Sequence, residues 1–189
     1  MKKETINKIF DIFYTNNPEP KGELDYHNTY TLLVAVALSA QATDIGVNKA
    51  TKELFKIIKT PYDMIDLGED ALISHIKSIG LYKTKAKNVM KMAQQLIDFH
   101  KAEVPNNQEA LEDLAGVGRK TANVVRNIAF GEPTIAVDTH IFRVANRLKL
   151  AVGKNPLQVE RGLAKVIPAK YVIDSHHWLI LHGRYICKA

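Results

Sequence analysis

The stretch LAGVGRKTANVV, residues 114–125, sets Gly116 and Gly118 directly ahead of Arg119 and Lys120. The two glycines flank Val117, so the backbone is free to make a tight turn with positive φ values closed to other residues. The helix that follows starts near Gly118–Arg119, and its first amides have no intrahelical partners. Those amides and the helix dipole make an anion site that suits a phosphate. Contacts of that kind hold a nucleic-acid backbone without reading its sequence. Lys120 is electrostatically misplaced at a helix N-terminus, where the dipole disfavours a cation. Two roles resolve this: a charge against phosphate, or an amine of lowered pKa acting as a nucleophile. At an ordinary pKa near 10.4 only about 0.04% of lysine is neutral at pH 7. A pKa of roughly 7–8 raises that fraction by about 10²–10³-fold. Neutral amines attack sugar carbons and form Schiff bases. By itself Gly-x-Gly is weak evidence, since an ordinary αα-hairpin carries the same pattern.

The second stretch is GEPTIAVDTH, residues 131–140. Gly131 and Pro133 make a turn, and an extended apolar segment leads to Asp138. Asp138 opens a helix, so its plain role is an N-cap. A carboxylate held close to a lysine has a second use: it stabilises positive charge on a sugar ring as a base departs, as in glycoside cleavage. Whether Lys120 and Asp138 meet is not given by their positions in the chain. His140 stands beside Asp138, where it either touches phosphate or caps its own helix. His176 and His177 are adjacent and diverge on a helix, with no acid or cysteine nearby, so packing and capping explain them better than a metal. Asp44 either faces a pocket or acts at the start of its helix, and the structural role is the better reading.

These motifs sit in a chain of 189 residues, enough for one domain or two small ones with a real core. Twenty-six Lys and Arg against 20 Asp and Glu leave a charge of +6. Six lysines (Lys77, Lys83, Lys85, Lys87, Lys91 and Lys101) fall between His75 and Lys101, against the single acid Asp98. Between Gly116 and Leu150 six more basic residues (Arg119, Lys120, Arg126, Arg143, Arg147 and Lys149) face only Glu132 and Asp138. A basic middle is what a phosphate-backbone footprint needs, although solvated helix faces account for any one lysine. The single cysteine, Cys187, excludes an internal disulfide. MKKETINKIF has the spacing of an amphipathic helix rather than a signal peptide. The apolar run 29–40 is too short to span a bilayer. These features point to a cytoplasmic protein, nucleoid-associated if it binds DNA.

The elements that must position the motifs have helical period throughout. Helices are predicted over 2–14, 29–41, 44–59, 69–79, 107–114, 119–130, 139–149, 156–166 and 170–187. Another opens at Thr84, with Ala86, Val89, Met90, Ala93, Leu96 and Ile97 inward and its lysines mostly off that face. Residues 16–28 read as a linker or long loop, and Thr60-Pro61 as a short turn. The predicted class is all-α.

Taken together, LAGVGRKTA, GEPTIAVDTH, FRVANRL (142–148), LLVAVALSAQATD (32–44), IGLYKTKAKN (79–88) and HHWLILHGRYIC (176–187) resemble the helix–hairpin–helix/Gly-Pro-Asp superfamily of DNA repair glycosylases. Within it the match is to the bacterial endonuclease III branch, along essentially the whole chain. The resemblance implies two helical lobes with a DNA-binding cleft between them. Residues 22–132 would carry the hairpin, and residues 1–21 with 133–189 would form the second lobe. It implies a bifunctional enzyme that excises oxidised pyrimidines and then cuts the abasic strand by β-elimination. Lys120 matches the Schiff-base nucleophile and Asp138 the carboxylate that supports it. Gln41 and Leu81 match residues that fill the gap left by the extruded base and wedge the duplex. Otherwise Gln41 is a helix C-terminal residue and Leu81 a satellite core residue. Gly116, Val117, Gly118, Arg119 and His140 complete the implied DNA contacts. The implied partner is double-stranded DNA with a damaged base or abasic site, bound by a monomer with no membrane role. A related glycosylase with another lesion preference, and a non-catalytic helix–hairpin–helix DNA-binding protein, are the alternatives.

The sequence departs from the family pattern twice. Ala115 stands where the hairpin usually has proline, which leaves the turn less rigid. The cysteine after HGRY is, in the family, the first of four ligands to a [4Fe–4S] cluster, and this chain stops two residues after Cys187. One thiolate does not hold such a cluster, so no cofactor is expected in the chain as given. A naturally short protein and a truncation both fit.

Overall fold

Computed as a structural model describing residues 1–189, the chain forms helices and connecting turns with no β-strand, as its periodicity predicts. The helices are α1 (Lys3–Asn16), α2 (Thr29–Leu38), α3 (Asp44–Ile57), α4 (Pro61–Leu67), α5 (Glu69–Ile76), α6 (Tyr82–His100), α7 (Gln108–Glu112), α8 (Arg119–Phe130), α9 (Thr139–Arg147), α10 (Pro156–Val166) and α11 (Val172–Leu181). None is long and apolar enough to cross a membrane. Two compact units result: Glu23–Phe130, and Met1–Gly22 with Gly131–Ala189.

In the unit Glu23–Phe130, α2 is the central helix. Its apolar residues are buried on every side, which explains a run with almost no polar face. It packs against α3, α6 and α8. Asn28 starts it by accepting from the Thr31 amide at 2.8 Å, while the Thr31 hydroxyl receives the Asn28 amide. Thr43 caps α3 by accepting from the Gly46 amide, just ahead of the helix predicted from residue 44. Thr60 and Asp63 form a second capping box, so the predicted turn at Thr60-Pro61 is instead the start of α4.

Two boundaries differ from expectation for one reason. The helix predicted to reach residue 41 ends at Leu38, and α6 starts at Tyr82 rather than Thr84. Gln41 and Leu81 stand just outside these ends with φ of 54° and 60°, a left-handed backbone that breaks a helix. Leu81 is the N-cap of α6 and offers no side-chain hydrogen bond.

In the other unit, Ile6 and Phe10 of α1 enter a core with Ile135, Val137, Ile141, Val144, Trp178 and Leu179. Phe10 stacks on Tyr171, and Phe13 on Trp178. Polar atoms at the rim fix the register: Tyr171 donates to Asp11 at 2.6 Å, and Trp178 Nε1 donates to the Asn17 carbonyl at 2.8 Å. The helix predicted over 170–187 is three pieces, a 3₁₀ turn at Ala169–Tyr171, then α11, then a π-helical turn at His182–Ile186. Gly183 lies in the π turn, and a Cβ there would stand 2.8 Å from Cβ of His140. Only a residue without a side chain lets this segment come so close to α9.

Candidate DNA-contact and catalytic residues

The loop between α7 and α8 is a hairpin built on one β-turn. Val117 N donates to the Leu114 carbonyl at 3.0 Å, closing residues 114–117. Gly116, at the third position, has φ 79°, the value a type II turn requires there. A Cβ at Gly116 would also lie 2.9 Å from Cβ of Asn88 on α6. Gly118 differs from the sequence reading: its backbone is outside the left-handed region, and a Cβ there would meet nothing within 4 Å. Its lack of a side chain leaves open space at the start of α8, where the Ala122 amide bonds the Gly118 carbonyl.

Val117 is buried and fixes the turn, while Gly116, Gly118, Arg119 and Lys120 are exposed. Arg119 reaches Glu112 of α7 at 3.8 Å. Gln108 ties the two helices further, bonding Glu112 and accepting from Arg126 at 3.2 Å. The turn is held from α6 as well. Gln95 accepts from the Ala115 amide at 2.8 Å and donates to the Asp113 carbonyl at 3.0 Å. The less rigid turn expected of Ala115 is therefore tethered on both sides.

Asp138 is half-buried and performs the plain role: its Oδ1 accepts from the Ile141 amide at 2.8 Å and caps α9. Oδ2 has no protein donor, so one carboxylate oxygen remains available. His140 does not cap its helix. Its Nδ1 lies 3.4 Å from Arg143 Nη2, and Arg143 in turn donates to the carbonyls of Gly183 and Cys187 at 2.7 and 3.0 Å. Arg147 bonds the Lys188 carbonyl. Two arginines of the basic stretch thus hold the last residues of the chain, which the charge count did not reveal.

Gln41, Leu81 and Gly116 come together around one cavity of about 140 Å³. Leu81 is 60% exposed, so it is no core residue, and Gln41 is exposed too. Lys83, Lys87 and Lys91 are exposed, as expected of lysines mostly off the inner face of α6, and Lys85 is the buried exception. Sequence reasoning missed Lys85, Asn88 and Gln95 as site residues. Their signal was spacing: three polar side chains at i, i+3 and i+10 on the inward side of α6.

No group of three or more His, Cys, Asp or Glu is placed to hold a metal. His176 is buried and packs its ring edge-on to His177. Cys187 is the sole thiol, and its Sγ lies 3.6 Å from Arg147 Nη1. One thiolate is not a ligand set for a [4Fe–4S] cluster, so the residues present do not fit that group.

Comparison with known proteins places these features in a family. A family model described as HhH-GPD superfamily base excision DNA repair protein matches residues 34–169. Endonuclease III of Haemophilus influenzae is 61% identical over 189 residues, all of this chain and 90% of that protein. Endonuclease III of Escherichia coli (strain K12) is 58% identical over the same 189 residues, with the same coverage. Among solved structures, a trapped endonuclease III–DNA covalent intermediate matches with a TM-score of 0.93 and 46% identity. That match covers 100% of this chain and 89% of the other.

Proposed function

Because the chain belongs to the HhH-GPD superfamily of base excision DNA repair proteins, we infer that it is a DNA glycosylase and abasic-site lyase. It removes an oxidised pyrimidine from duplex DNA and then cuts the strand. The observation that carries the reading is the hairpin. Buried Val117 and the Gly116 turn hold the exposed first turn of α8 with Lys120 upon it. A phosphate fits such amides, and a lysine beside them can meet the sugar of the same strand.

In this reading the Lys120 amine adds to C1′ of the damaged nucleotide. The N-glycosidic bond breaks, its electron pair leaves with the base, and the base takes up a proton. Opening of the C1′–O4′ bond gives an iminium between C1′ and the lysine nitrogen, and O4′ is protonated. Loss of a C2′ proton then drives cleavage of the C3′–O bond, and the 3′ phosphate departs. Water hydrolyses the imine and frees the amine. Asp138, with Oδ2 uncommitted, offsets positive charge on the sugar as the base departs. Gln41 and Leu81 occupy the space left by the extruded base, recovering part of a stacking cost of a few kcal/mol. Gly116, Val117, Gly118, Arg119 and His140 serve the phosphate backbone. The enzyme acts as a monomer on DNA containing a damaged base or abasic site, within the nucleoid.

The test is a panel of duplexes, each with one damaged base or one abasic site. The reading requires release of oxidised pyrimidines and cleavage at abasic sites, with affinity falling steeply as salt rises. Excision of a different lesion would make this a glycosylase of another preference. Binding without excision or cleavage would leave only a DNA-binding hairpin.

A further inference from the structure

Lys85 is 7% exposed, and its Nζ is buried with no hydrogen-bond partner. It lines the cavity shared by Gln41, Leu81 and Gly116, and no acidic residue lines that cavity. An ammonium in such a place is costly unless an acceptor meets it. Burial pushes its pKa below the ordinary lysine value. Methionine would occupy the same volume without that cost, so the sequence carries a penalty here that the isolated fold does not use.

The rest of the cavity says what kind of group completes it. Three of its lining residues, Gln41, Leu81 and Gly116, come from three segments, and each has a positive φ (54°, 60° and 79°). Left-handed backbone at non-glycine residues is strained and clusters at binding sites. Ala37, Ala40 and Val89 give it apolar walls. A volume of about 140 Å³ is close to that of a protein cavity known to hold one benzene ring. A group no larger than a ring or a phosphate, carrying an oxygen acceptor, fits both the space and the charge.

We propose that Lys85 is a further DNA-binding residue, whose ammonium donates a hydrogen bond to an oxygen of the bound duplex between Gln41 and Leu81. This rests on the DNA-repair reading above. The oxygen belongs either to a backbone phosphate or to a base carbonyl. Both are acceptors of a charged N–H, and they differ in their salt dependence. The site is separate from the first turn of α8 and does not need Lys120.

The experiment compares the intact chain with Lys85→Met and Lys85→Arg on a duplex containing a tetrahydrofuran abasic analogue. Binding is followed by fluorescence anisotropy across a salt series and unfolding by urea titration. Lys85→Met is expected to fold with unchanged or raised stability, because an unpaired buried charge is gone. Its affinity is expected to fall about tenfold or more, the size of one charge-assisted hydrogen bond. Lys85→Arg, which keeps a charged donor, is expected to retain more of the affinity. A loss of about one in the slope of log Kd against log salt assigns the acceptor to phosphate. An unchanged slope, with a loss that vanishes when the opposite nucleotide carries no base, assigns it to a base carbonyl. Affinity of Lys85→Met within twofold of the parent overturns the proposal. So does a marked loss of stability in Lys85→Met, since the amine would then be serving the fold. Absence of DNA binding by the unsubstituted chain would instead sink the repair reading.

Discussion

The Gln95 carboxamide oxygen accepts a hydrogen bond from the Ala115 amide at 2.8 Å, a bond that a proline at position 115 has no N–H to make. Position 115 is the second residue of the type II turn, where proline is favoured because it presets φ. This chain reaches the same turn by tethering it to α6. Gln95→Leu and Ala115→Pro are each expected to lower stability by about 1 kcal/mol, the net value of a hydrogen bond with one partner left unmet. The double variant is expected to lose less than the sum of the two. Urea unfolding of all four proteins gives the cycle, and strict additivity would show that the Gln95–Ala115 bond is not what holds the turn.

Gly116 and Gly118 look alike in sequence and differ in structure. Gly116→Ala meets both a positive φ and Asn88 at 2.9 Å, so a stability loss of about 1–3 kcal/mol is expected. Gly118→Ala meets nothing within 4 Å and should leave the unfolding midpoint nearly unchanged. Its added methyl crowds the start of α8, so DNA affinity is expected to drop. Equal effects of the two variants on unfolding would contradict this division of labour.

Asp138 has two separable roles. Asparagine caps a helix about as well as aspartate, so Asp138→Asn should retain stability within about 0.5 kcal/mol. Asp138→Ala should cost about 1 kcal/mol. Base excision is expected to fall steeply in both variants and far more than DNA binding. If excision and binding fall together in Asp138→Asn, the carboxylate serves only as a cap.

Burial holds the imidazoles of His177 and His182 below the ordinary value of 6.5, with Asp174 opposing the effect at His177. The folded protein then binds fewer protons than the unfolded chain between the depressed values and 6.5. This part of the stability is present above pH 6.5 and is lost as pH falls through the folded values. Urea unfolding at about pH 7.5 and pH 5 should therefore show a decline that is smaller in His177→Gln. A decline of equal size in that variant would remove His177 from the account.

Much of this was legible in the sequence because helix period and capping are local. Asn107, which opens α7, and Thr43, which opens α3, stand where cap chemistry puts them. The misses share a physical cause. The left-handed backbone at Gln41 and Leu81 shortens one helix and moves the start of another, and no local pattern demands it. Lys85 sits on a helix whose other early lysines face solvent, and only tertiary contact buries it. Arg143 and Arg147 count as surface charge until the carbonyls of Gly183, Cys187 and Lys188 are brought to them. In the hairpin the conformational role belongs to Gly116 and not to Gly118, a difference hidden in the sequence because it shows a glycine and not its φ.

The central claim is that the Lys120 amine, at the head of α8, bonds to the sugar of the bound strand. Its most direct test is borohydride reduction of the protein mixed with an abasic duplex, which would convert a transient imine into a stable link. A covalent protein–DNA adduct is expected from the intact chain and none from Lys120→Ala, while Lys120→Ala still binds the duplex. An adduct that persists in Lys120→Ala, or none with the intact protein on a duplex it binds, would contradict it.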